Sequence, residues 1–64
     1  MTREKATAAL NNAVETHINQ LFGVLVRGLV TGDGSAQKNF TNGLAAVDEA
    51  ETIASQIIEK TFVE

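Results

Sequence analysis

Leu10, Val14, Ile18, Leu21, Leu25 and Leu29 recur every three or four positions through the first half of the chain, the repeat of one face of an α-helix. The pattern predicts a helix over about residues 2–30. Thr2 is placed to cap its N-terminus, Glu4 falls in the first turn where the helix dipole favours a carboxylate, and Ala6, Ala8, Ala9 and Ala13 add intrinsic propensity. Gly23 and Gly28 each cost about 1 kcal/mol relative to alanine in a helix interior, so close packing against another backbone is the expected compensation. The run Thr31-Gly32-Asp33-Gly34-Ser35 then breaks the pattern. Its glycines suit left-handed backbone, Asp33 is a turn former and Ser35 an N-cap candidate, which predicts a turn at 31–34. Beyond it Phe40, Leu44, Val47, Ala54, Ile57, Ile58 and Thr61 repeat at helical spacing, with small Gly43 and Ala50 on the same stripe. A second helix over about residues 35–62 follows. The Asn42-Gly43 pair is a turn signal and offers a later start near Thr41, but the hydrophobic spacing favours the earlier one.

Two helices of similar length joined by a short glycine loop must return antiparallel, so the expected fold is all-α, one helical-hairpin domain over residues 1–64. A single chain of 64 residues buries only about 60% of its unfolded surface. Phe22, Val24, Val26 and Val30 moreover make residues 21–30 apolar on more than one face. The surplus predicts a homo-oligomeric helical bundle, a four-helix dimer or a higher closed ring, with Leu21, Phe22, Leu25 and Leu29 at the oligomer interface.

Charge and composition narrow the chemistry. Five Lys and Arg against eight Asp and Glu leave a net charge of −3, which disfavours non-specific attraction to nucleic acid or to an anionic membrane. There is no tryptophan or tyrosine to stack on bases, and the three phenylalanines read as core. With no cysteine and one histidine, disulfides, zinc–thiolate sites and thiol nucleophiles are excluded, and no metal or cofactor is expected. The opening Met1-Thr2-Arg3-Glu4-Lys5 runs into alanines and asparagines rather than a signal-type apolar core. Residues 21–30 are about half the length of a membrane span and include Arg27. A cytoplasmic protein without membrane contact is expected.

Few residues are suited to catalysis, and the expectation is a non-enzymatic binding protein. His17 borders the apolar stripe, as a switch, as a ligand contact repeated by symmetry, or as a boundary residue with one satisfied nitrogen. Asp48, Glu49 and Glu51 crowd one helical turn but point in different directions, which fits a solvated face better than a metal site. The second half of the chain, with Asp33, Asp48, Glu49, Glu51, Glu59 and Glu64 against Lys38 and Lys60, is the acidic one. The Gly32-Asp33-Gly34 turn lacks the spacing of a Walker A or dinucleotide fingerprint. The helix start behind it, with free N–H groups, the Ser35 hydroxyl and the Lys38 ammonium, forms a candidate anion site; the alternative is a plain N-cap beside an exposed lysine. Arg3 and Lys5 make a second cationic spot at the far end of the hairpin, or are solvated residues of a frayed terminus.

From His17 to Ile58 the order of Asp33 and Ser35 in a turn, Lys38 after it, Leu44 with Asp48, Glu49 and Ala50, then Ala54 and Ile58, resembles the hairpin domain of phage anti-defence sponges. About two thirds of the chain is covered; the turn holds glycines in place of a proline, and Ile53 stands at an aromatic position. That resemblance implies sequestration of a phosphate-bearing cyclic nucleotide inside a helical oligomer, at Ser35 and Lys38, with Arg3 and Lys5 second and Arg27 contributed by a neighbouring subunit. A competing class is a protein-binding inhibitor or adaptor that presents the acidic second helix to a protein target. The opening with Met1-Thr2, Lys5 and Ala9-Leu10-Asn11 resembles in turn the dimeric plasmid copy-number regulators, whose four-helix bundle binds paired RNA hairpins. Glu15 and amides stand where that family's basic residues would follow, which ranks RNA third.

Overall fold

A computed structural model describes residues 1–63, and Glu64 of the acidic half lies outside the described residues. Two helices, α1 (Arg3–Thr31) and α2 (Ala36–Thr61), are the whole of the regular structure among those residues. Their lengths of 29 and 26 residues correspond to about 43 and 39 Å at 1.5 Å per residue, and they pack into an antiparallel hairpin with Cα extents of 51 × 16 × 8 Å.

Local chemistry sets the ends. The Thr2 hydroxyl accepts a hydrogen bond from the Lys5 N–H at 3.2 Å, with extended backbone at Thr2, as expected of an N-cap. At the other end of α1, Gly32 takes φ +78°; its N–H donates to the Leu29 carbonyl at 3.3 Å and the Asp33 N–H donates to that of Gly28 at 2.8 Å. These bonds satisfy carbonyls the helix would leave open, and a side chain at Gly32 would be strained. α2 begins at Ala36 rather than near Thr41, so Asn42-Gly43 lies inside the helix.

The reason is tertiary. A Cβ at Gly43 would come within 2.7 Å of Leu21 Cδ2, and a Cβ at Gly28 within 2.6 Å of the Ala36 Cβ. Both glycines are therefore contact points at which one helix admits the other, at the register Leu21–Gly43 and Gly28–Ala36. Gly43 stays helical because its missing side chain seats Leu21, which overrides the turn preference of Asn-Gly.

The contact stripe is narrower than the hydrophobic pattern. Leu10, Val14, Leu21, Leu25 and Gly28 of α1 meet Phe40, Gly43, Leu44, Val47, Ala54 and Ile58 of α2, all only half-buried. Among the described residues just Ala6 and Ala36, near opposite ends, are buried. Ile18 and Leu29, on the expected stripe, lie instead on the outside, as does Ile57 on α2: two helices in contact cover a seam, and neighbouring apolar positions fall off its edges. Of the four residues expected at an oligomer interface, Leu21 and Leu25 are turned towards the seam of the hairpin, whereas Phe22 and Leu29 are 58% and 54% exposed.

Candidate functional site

The turn end of the hairpin carries Ser35, Lys38 and Arg27, all exposed. Ser35 precedes α2 but its hydroxyl does not cap the helix. It donates to Asp33 Oδ1 at 2.7 Å and accepts from Asn39 Nδ2 at 3.4 Å, while the Ser35 N–H donates to the same Asp33 oxygen at 2.9 Å. Ser35 takes the N-cap position as expected, but its hydroxyl bonds Asp33 instead of a first-turn N–H, and the Asp33 carboxylate closes an Asx turn on the Ser35 N–H. The physical reason is local geometry: Ser35 lies in the right-handed helical region (φ −98°, ψ −1°) rather than in the extended backbone that aims an N-cap hydroxyl at the first turn. The backbone N–H of Ser35 first, and its hydroxyl second, hold the Asp33 carboxyl below its ordinary value of 3.8. The positive end of α2 already faces a carboxylate of the same chain, so an incoming phosphate meets a negative charge beside Ser35, and Lys38 is the cation available to offset it.

Arg3 and Lys5 are exposed in the first turn of α1, about 40 Å from the turn along the helix axis. Arg3 lines an open cavity of about 600 Å³ with Glu4, Thr7, Ala8, Asn11, Ser55, Ile58 and Glu59, where two carboxylates outnumber the one guanidinium. Lys5 is not among its lining residues. One chain therefore does not bring the two cationic places together.

Sequence reasoning missed an apolar groove of about 370 Å³ along one face, lined by Leu10, Ala13, Val14 and His17 of α1 and Ala46, Val47, Ala50, Glu51 and Ala54 of α2. Small side chains on both helices leave the depression, and the alanines beside the stripe were the signal that could have located it. His17 belongs to its wall and is exposed, with Glu51 opposite. Among the described residues no group of three His, Asp or Glu side chains is arranged to hold a metal ion, and no helix is long and apolar enough to cross a membrane. No family model, curated protein or solved structure matches the chain.

Proposed function

We propose that this protein is a non-enzymatic binding protein that works as a homo-oligomer of helical hairpins, and that its ligand is held between subunits. One observation carries the reading: in a chain with 44% hydrophobic residues only two alanines are buried among the described residues, while Phe22, Val24, Leu29, Val30 and Ile57 are each more than half exposed. Apolar surface on that scale calls for a covering protein surface, and a second hairpin supplies one of the same character. The resemblance to cyclic-nucleotide sponges supports a phosphate-bearing signal as the ligand. Ser35 and Lys38 of one subunit would act with Arg3 and Lys5 of a neighbour running the opposite way, and with Arg27 from a further contact.

The Asp33 carboxylate at the start of α2 favours a second reading, an inhibitor or adaptor that presents the exposed Asp48, Glu49 and Glu59 to a basic protein surface. Calorimetric titration of cyclic dinucleotides into wild type and Lys38→Ala separates the two. Sponge function requires binding tighter than ~1 mM that weakens by about 1.5–3 kcal/mol when the lysine is removed. No binding to wild type ends the sponge reading. The adaptor reading predicts a silent Lys38→Ala and loss of association with a basic protein surface on Glu49→Lys.

A further inference from the structure

The groove is lined by apolar side chains of both helices at once. Its lining holds one charged side chain, Glu51, whereas the cavity nearer the open end is lined by Arg3, Glu4 and Glu59 among others. Leu10, His17 and Val24 stand seven residues apart on α1, the heptad spacing that keeps side chains on one seam between packed helices. His17 is the middle residue of α1, fourteen positions from Arg3 and from Thr31. The groove reaches from Leu10 to His17, while Val24, the next heptad position towards the turn, is an uncovered apolar side chain, 54% exposed.

Resting on the oligomer reading above, we propose that the groove is the seat of a second copy of this chain, packed groove face to groove face in an antiparallel, two-fold symmetric dimer with His17 at the axis. In that arrangement α1 crosses its symmetry mate at His17. Val24 of each copy then covers Leu10 of the other, because the two positions are equally far from the crossing. The groove lies between Leu10 and His17, and the uncovered Val24 lies seven residues beyond His17, so one rotation sets the 17–24 stretch of each copy over the groove of the other. The whole broad face, with Cα extents of 51 × 16 Å, spans roughly 800 Å² in projection, the scale of the surface that each partner contributes to a standard stable interface. Alanines at positions 13, 46 and 50 permit the 8–10 Å axial separation of close helix packing. The same rotation carries the open end of one hairpin, with Arg3 and Lys5, to the end of the dimer that holds the other's turn, with Ser35 and Lys38.

The chain has no cysteine, so a single introduced one reports its own neighbour. His17→Cys, at an exposed position that does not threaten folding, is expected to form a disulfide-linked dimer under mild oxidation, since residues meeting at a two-fold crossing fall within disulfide reach. Phe22→Cys, off the groove face, should link at least 10-fold more slowly. Val24→Arg should weaken self-association more than 10-fold in sedimentation equilibrium while helicity is kept. If wild type sediments as an oligomer but His17→Cys fails to link, or Phe22→Cys links as fast, or Val24→Arg leaves association unchanged, this placement is overturned and the oligomer reading survives. A folded wild-type monomer at tens of micromolar overturns both.

Discussion

At the scale of single residues, three helical glycines that look alike in the sequence are set apart by what surrounds them. No atom outside its own stretch of helix lies within 4 Å of a Cβ placed on Gly23. Gly23→Ala should therefore stabilise the fold by up to about 1 kcal/mol, the propensity difference alone. Gly28→Ala gains the same propensity but drives a methyl group to 2.6 Å from the Ala36 Cβ, a contact between short rigid groups that can open only by moving the helices apart. Overpacking of this kind costs about 1–3 kcal/mol, so the net effect should be destabilising. Gly43→Ala meets the branched end of Leu21, which can rotate, and should fall between the two. Thermal melts of the three variants under one condition would show the order. Asp33 gives a further test. Its carboxyl titrates lower in the folded chain than in the unfolded one, because Ser35 donates two hydrogen bonds to the ionised form. A depressed carboxylate stabilises the fold above its unfolded value and loses that contribution as pH falls through the folded one. Asp33→Ala should therefore lower Tm at neutral pH, and the gap from wild type should close as pH falls below 3.8.

At the scale of elements, much of each helix was legible beforehand and its partner-facing side was not. The periodic spacing predicted α1 and α2 to within a residue or so of Arg3–Thr31 and Ala36–Thr61, because capping and propensity act over a few neighbouring residues. Thr2 caps as expected, and Gly32 closes α1 in left-handed backbone. Gly32→Ala should cost about 1–2 kcal/mol, the price of a Cβ in that conformation, measurable as a lower urea midpoint with an unchanged slope. Ser35 stands at the N-cap position, but its backbone dihedrals, which residue identity does not fix, turn the hydroxyl to Asp33 rather than to a first-turn N–H. Asn42-Gly43 suggested a break for a similar reason: dipeptide statistics carry no knowledge of Leu21, twenty-two positions away in the chain and in contact in the fold.

At the scale of the whole molecule, the hairpin is a seam without an enclosed core, and its stability should depend on protein concentration. If subunits complete the fold, the melting midpoint must rise with concentration by mass action, and circular dichroism at 2 and 200 μM (roughly a hundredfold range) reads this directly. Leu25→Asp distinguishes the seam within a hairpin from contacts between hairpins. Half-buried on α1, Leu25 should cost helicity itself when replaced by a charge, whereas Phe22→Ser, at a position 58% exposed, should leave helicity intact. The placement of candidate ligand residues was partly legible: helix ends put Ser35 and Lys38 at the turn and Arg3 and Lys5 at the far end, simply because a helix has a fixed rise per residue. Two things escaped the sequence, the Asp33 carboxylate standing where a phosphate was expected and the apolar groove beside His17. By itself the sequence determined two helices, the turn between them and the excess of apolar surface, all of which follow from local spacing and composition. Only the tertiary structure decided which apolar residues face the partner helix and which remain outside, since that depends on the rotation of each helix about its axis. That rotation is set where Gly28 admits Ala36 and Gly43 admits Leu21, contacts between residues far apart in the chain.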